Sequence, residues 1–428
     1  MTILRAQVSA FGRVLRRPVL RRVLPAMLVS AIGDAMSLVA VAWLAMSIAP
    51  PDQAGIWTAL AVAAYALPAT LGAALLARWV RRLPGISLVT VDAALRFVAL
   101  GTIATLAIVG ALTPVVYVVL LAGSSLLHAW GNAGAYTLIA ELVPDEDRVT
   151  GNALLSTFVQ ASFVIGPALA GVLTAWAGPG WVIAVDAASF AVLAVVCRSA
   201  RVDAPARPPA ITTSTGGGRA ILSDRRLVGL LLVTCGFFFL YGPVEVALPI
   251  HVAREAQGSA ALLGLFWAVF GVGAIVGGLG AGLLQHRPLW TVVAVIIIGW
   301  GAALLPLGLT DSVPAGLIGF AIGGLIYGPF TAICTALFQR SSPPELLSRV
   351  LATRSALTTP STALGTLLGG PVVAAIGGQQ TLLASGLLTI ALGVLVAAAA
   401  RRARSAGMDI TEGANRLDRG PALARVNG

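Results

Sequence analysis

Four carboxylates sit inside long apolar stretches of this chain: Asp34, Asp92, Asp186 and Glu245. An ionised carboxylate at the centre of a membrane-inserted helix costs about 2.5–3.5 kcal/mol. Each therefore calls for a partner or a chemical role. Asp34 lies roughly a dozen residues beyond Arg22 and a similar distance before Pro50, near the middle of its stretch. At that depth it is a candidate proton carrier or cation receptor, the alternative being a hydrogen bond to a nearby Ser or the backbone. Glu245 stands between Pro243 and Pro249, about six residues before the polar segment His251–Gly258, and reads as shallower. Each proline removes a backbone hydrogen bond, so the helix is expected to be irregular and to line a water-filled cavity. Glu245 is then an ion-coupling or ligand residue, or else a solvated vestibule carboxylate. Asp92 and Arg96 are four apart and share one helix face. Both lie close to one end of their stretch and read as a structural pair at an inner gate. Asp186, near the outer end of its stretch, reads as a helix-packing carboxylate.

Weaker chemistry follows the same helical spacing. His128, Asn132 and Tyr136 fall at i, i+4 and i+8, a polar and aromatic stripe. Such a stripe suits an amphipathic ligand, which wants aromatic surface with few polar anchors; ordinary hydrogen bonding between helices would use it equally well. Gln160, Tyr241 and Tyr327 are cavity candidates of the same kind, while the Phe237-Phe238 run reads as packing. Gly166, Pro167 and Gly171, and later Gly365 and Gly369 before Gly370-Pro371, give small faces with a bend. Small residues at that spacing let helices approach closely, which suits interfaces that must part and re-form.

The elements that would position these residues are about twelve apolar stretches. They begin near Val23, Ile56, Ile86, Pro114, Gly151 and Trp181, then near Leu227, Ala260, Leu289, Pro314, Val350 and Thr381. A spanning helix needs roughly 20 apolar residues. With 58% hydrophobic and 11% charged residues, the 428-residue chain has too little polar surface for a water-soluble fold. The expectation is an all-α membrane protein of twelve transmembrane helices. Every Lys/Arg position is Arg, and the net charge of +11 collects in the N-terminal arm, alternate short loops, a central segment and the tail. In the other loops only Arg254 is basic. Cytoplasmic loops keep the positive charge, so both termini are placed inside, in the cytoplasmic membrane, with the bilayer rather than nucleic acid as partner. Cys197, Cys235 and Cys334 show no metal-ligand spacing and read as small buried hydrophobes. The N-terminal run carries Asp34 and no small-residue cleavage site, so it reads as a permanent span.

The Pro-, Gly- and Thr-rich segment around residues 199–226 reads as a linker. It separates a bundle at 23–198, behind an arm at 1–22, from a bundle at 227–400 and a tail at 401–428. Pro144–Gly178 and Pro344–Gly378 repeat one order about 200 residues apart: charged loop, helix, small-residue face with Gly-Pro, Gly turn. A parallel repeat of six-span halves puts a binding site near midplane between them.

On these residues the chain resembles the major facilitator superfamily, and within it the drug:proton antiporter group that includes Tap-type multidrug, macrolide and enterobactin exporters. The matching segments are Gly33-Asp34 through Ala40, the Glu141–Arg148 loop with Asn152, and Gly166-Pro167 through Gly171. Val185 to Phe190, Tyr241 to Glu245 and Leu325 to Pro329 also match. The resemblance implies two six-helix bundles working by alternating access, with the first and seventh spans lining the cavity. It further implies proton coupling or substrate contact at Asp34 and Glu245, and gating at the Gly166–Gly171 motif. The family's loop between spans two and three is carried by Gly72, Arg78, Arg81 and Arg82, but Ala77 stands where an acidic residue is usual. That departure weakens the charge network expected to latch the cytoplasmic side. No Gly-Lys-Ser/Thr phosphate loop or His-Glu-x-x-His motif is present, so no enzyme, cofactor or metal is expected. The expected function is proton-coupled efflux of amphipathic small molecules by a monomer. The alternatives are an exporter dedicated to one metabolite or siderophore, and a non-transporting membrane sensor.

Overall fold

Twelve helices long and apolar enough to cross a bilayer make up the computed structural model, which describes residues 14, 16–76, 83–200, 221–222, 224–284, 287–342 and 346–405. The first six are α1 (Pro18–Ile48), α2 (Ala54–Leu75), α3 (Gly85–Ile108), α4, α5 (Asp145–Ala177) and α6 (Pro179–Ser199). The second six are α7 (Arg225–Ile250), α8 (Ala260–Leu279), α9 (Leu289–Leu309), α10, α11 (Leu347–Ile376) and α12 (Gly378–Ser405). Both α4 and α10 are interrupted, as Pro114–Ser125 with His128–Leu142, and as Val313–Tyr327 with Phe330–Ser341. Twelve alternating spans bring the start of α1 and the end of α12 to one face, the terminal face.

Local chemistry marks the helix ends. Proline occupies the first turn of α1, α4, α6 and α10, where its missing N–H costs nothing. Asp224 caps α7 by accepting the Arg226 N–H at 2.7 Å. Gly178 (φ 91°) joins α5 to α6 and Gly377 (φ 86°) joins α11 to α12. These are equivalent positions of the two halves, and each needs a left-handed backbone that glycine adopts freely.

The halves also share their packing. In the first, α3 lies against α6 and α1 against α5 and α6; in the second, α9 lies against α12 and α7 against α11 and α12. Gly72 of α2 meets the backbone of Leu126 where α4 breaks, as Gly277 of α8 meets Leu325 of α10. Two seams join the halves, α2 with α11 and α5 with α8. A Cβ on Gly171 would stand 2.9 Å from the Ala260 carbonyl oxygen, and one on Gly370 would stand 2.9 Å from that of Gly55. Only glycine admits these backbone approaches. Arg254 adds a bond across the halves, donating from Nη1 to the Pro51 carbonyl at 2.7 Å. All these clamps lie toward the face opposite the termini, so the molecule is closed there.

The seventh span departs from expectation. Its prolines do not break α7, which stays α-helical through Pro243 and Pro249 to Ile250, then widens into a π turn, His251–Glu255. The helix-compatible φ of proline lets the chain continue, and the wider turn absorbs the lost bonds. The helix therefore runs on to Glu255, but its π turn is level with the loops of that face: Arg254 bonds Pro51 and Glu255 accepts the Gly378 and Gln379 N–H groups that open α12.

Candidate functional site

Asp34 sits at the midpoint of α1 and meets Arg96 of α3, whose Nη1 donates to Asp34 Oδ1 at 2.5 Å. Tyr65 of α2 donates its hydroxyl to the same oxygen and lies 3.2 Å from Arg96 Nη1. The guanidinium also packs over the rings of Phe190 (4.9 Å) and Tyr65 (5.3 Å), and Arg96 is only 1% exposed. Four elements thus meet on one cation. The Asp92–Arg96 pair persists, but as the looser contact: Nε stands 3.9 Å from Asp92 Oδ1. Arg96 lies at the midpoint of α3, level with Asp34, so the pair is not at an end of its span as the spacing suggested; Asp92 alone lies nearer the terminal end.

His128 begins the second segment of α4 and brings Nδ1 to 3.9 Å from Asp92 Oδ2. Its Nε2 lies 3.1 Å from the Asn132 amide nitrogen. Asp186 of α6 is fully buried beside Gly33, and its Oδ2 accepts from Ser37 Oγ at 2.7 Å. Buried Asp92 Oδ1, Arg96 Nε, His128 Nδ1 and Asp186 Oδ1 make no hydrogen bond. A cavity of about 340 Å³ exposes much of this cluster, lined by Asp34, Tyr65, Asp92, His128, Asn132 and Tyr136 with Phe158, Phe163 and Phe190. The structure thus gathers Asp34, Asp92 and the His128–Asn132–Tyr136 stripe on one wall. Gln160 is exposed on α5 near the lining residues Val159 and Phe163.

Glu245 occupies a second cavity of about 250 Å³, where α2 of one half faces α7 and α11 of the other. Val62, Ala63 and Ala66 form one wall; Thr358, Thr359, Thr362 and Thr366 line the other, and Thr366 donates to Glu245 Oε2 at 3.0 Å. Tyr241 and Tyr327 stack at 5.9 Å within an aromatic cluster that includes Phe237, Phe270, Trp300 and Phe330. Phe237 is buried packing.

The small faces divide their work. Gly166 packs on Ala35 of α1, while Pro167 and Gly171 meet Gly264 of α8 across the seam. On α11, Gly365 and Gly369 instead face Phe239 and Pro243 of α7 in their own half; Gly370 makes the cross-half approach. Gly72 seats α4, and its carbonyl accepts from Trp130 Nε1 at 3.0 Å. Arg78, Arg81, Arg82 and Ala77 lie outside the described residues.

Three participants escaped sequence reasoning. Tyr65 is a polar aromatic in an Ala-rich span, a signal that could have marked it. Thr366 belongs to a run of hydroxyls on α11 that looks like ordinary helix filler. Arg354, a buried cation near the start of α11, donates to Thr335 Oγ1 of α10 at 2.7 Å.

Two pseudo-symmetric six-helix bundles, clamped at one face and holding polar cavities within and between them, define a polytopic membrane transporter. The sequence model of the Major Facilitator Superfamily matches residues 23–310 and 230–415, and the chain belongs to that family. Relatives include an uncharacterized MFS-type transporter, y4rN, of Sinorhizobium fredii, 29% identical over 58% of this chain and 63% of its own. The multidrug efflux pump Tap of Mycobacterium tuberculosis is 25% identical over 58% and 61%. The enterobactin exporter EntS of Salmonella choleraesuis is 28% identical over 57% and 58%. The matched region thus spans about three-fifths of these relatives' lengths. Among solved structures, the nucleoside transporter NupG superposes with a TM-score of 0.70 at 12% identity, covering 89% of this chain and 98% of its own. A bacterial homologue of the iron transporter ferroportin, in its inward-facing state, gives 0.66 at 19%, covering 88% and 98%. These likenesses concern the fold.

Proposed function

We propose that this transporter exports amphipathic small molecules, with protons moving in exchange through Asp34. The observation that carries the reading is the Asp34–Arg96–Tyr65 contact on the wall of an amphipathic cavity. Three carboxylates, Asp34, Asp92 and Asp186, surround a single guanidinium there, so the cluster approaches neutrality only by taking up a proton or a cation. A cationic substrate and a proton would then compete for the same negative charge, which is the requirement of exchange. The drug and siderophore exporters among the relatives support the outward direction.

The chain works as a monomer in the cytoplasmic membrane with both ends inside, on the positive-inside pattern. The clamped face is then the outer one, and the arrangement is open inward. Glu245, between the halves, senses substrate charge; Arg96 ties the middle of α3 to Asp34 while Asp92 faces His128; and the Gly171 and Gly370 approaches part when the halves rock. The test is accumulation of a fluorescent lipophilic cation in inside-out vesicles that contain the protein. Uptake should rise when an imposed gradient makes the lumen acidic and collapse with a protonophore. Uptake indifferent to the gradient would remove proton coupling, and no uptake of any amphipathic cation would remove the substrate class.

A further inference from the structure

A groove of about 460 Å³ lies between α7, α9 and α12, away from both polar cavities and near the terminal face. Leu232 and Leu395, 65% and 67% exposed, form its outward-facing walls, and Gly229 leaves room between them. From Arg225 to Val233 the α7 wall rises about 12 Å at 1.5 Å per residue, enough for the upper part of an acyl chain. Trp290 lines the groove from the first turn of α9, at the interfacial depth where indoles settle.

The rim is cationic. Arg225 and Arg226, both exposed, open α7. On the other wall α12 runs through Ala399 and Ala400 directly into exposed Arg401 and Arg402. Arg225 makes no ion pair among the described residues. Asp224, the nearest carboxylate in sequence, is engaged as the α7 cap.

A concavity on the lipid-facing surface is filled by lipid, and its rim decides which lipid. We propose that this groove binds one anionic phospholipid from the leaflet at the terminal face. The acyl chain lies along Leu232 and Leu395, and the phosphate sits at the side chains of Arg225 and Arg226. Because α7 also carries Glu245, an occupied groove braces the base of a helix that borders the cavity between the halves.

The experiment uses the purified full chain in mild detergent. It is titrated with phosphatidylglycerol or phosphatidylcholine of identical chains, brominated in the acyl region. Quenching of Trp290 is read as the difference between wild type and Trp290→Phe. Phosphatidylglycerol should quench at concentrations on the order of tenfold lower than phosphatidylcholine, given two nearby arginines. The double variant Arg225→Gln/Arg226→Gln should erase that preference. Gly229→Leu, at a position where an added Cβ meets nothing within 4 Å, should weaken quenching by both lipids. Equal quenching by the two lipids in wild type would overturn the proposal, as would a preference that survives the double variant. Should the double variant not fold, unchanged quenching in Gly229→Leu would overturn it alone. None of these readings depends on transport.

Discussion

Arg96 on α3 donates to Asp34 on α1 at 2.5 Å, while Asp92, one turn away on its own helix, stands 3.9 Å off. The guanidinium thus ties its own helix to the midpoint of α1 and leaves Asp92 to face His128. A single cation couples a midplane carboxylate to the ionisable groups nearer the terminal face.

Asp34→Asn should abolish gradient-driven uptake in vesicles while the protein remains folded in the membrane. The amide oxygen still accepts from Tyr65 and Arg96, but the side chain no longer exchanges a proton. Wild-type uptake by the Asn variant would place coupling elsewhere.

Arg96 and Asp34 should behave as one unit in a double-mutant cycle. Asp34→Asn and Arg96→Gln, singly and together, are expected to show an interaction of about 1–3 kcal/mol in detergent unfolding. Additive effects would mean that the contact contributes nothing.

Arg96→Lys keeps the charge but loses the planar group that packs on Phe190 and Tyr65. Uptake should fall on the order of tenfold or more, as for a loss of about 1.4 kcal/mol or greater. Transport within twofold of wild type would show that only the charge matters.

Gly171→Val forces a side chain toward the Ala260 carbonyl and Gly264, so the closed face should be pried apart. Spin labels at exposed Asp52 and Ser259, on opposite halves, should report a shift to longer distances. An unchanged distance distribution would mean that α5 and α8 separate without strain at this point.

Glu245→Gln should reduce export of a cationic substrate more than that of a matched neutral one, since only the cation loses a charge–charge attraction in a low-dielectric cavity. Thr366 can still donate to the amide oxygen, so α7 and α11 should keep their packing. Equal losses for both substrates would point to a proton-carrying role, and no loss to a bystander.

The twelve spans and their division into two related halves were legible in the chain itself. Apolar length determines which segments enter a bilayer, and the repeat around Gly178 and Gly377 records the halves. The depth of Asp34 and the shared face of His128, Asn132 and Tyr136 were legible too, because helical periodicity relates residues of one helix. Which helix stands opposite is not written in that period. Spacing suggested Asp92 as the partner of Arg96, yet the reach of an arginine across the bundle lets Asp34 and Tyr65 take it. Likewise, Gly365 and Gly369 face their own half and Gly370 the other, a choice set by how α11 is rotated between α7 and α2. Nor does the sequence show that α7 runs unbroken through both prolines and ends in a π turn whose Arg254 and Glu255 bond the other half's loop and the start of α12. Local sequence specifies a helix and its faces; only tertiary packing decides which faces meet, and the site is made where they do.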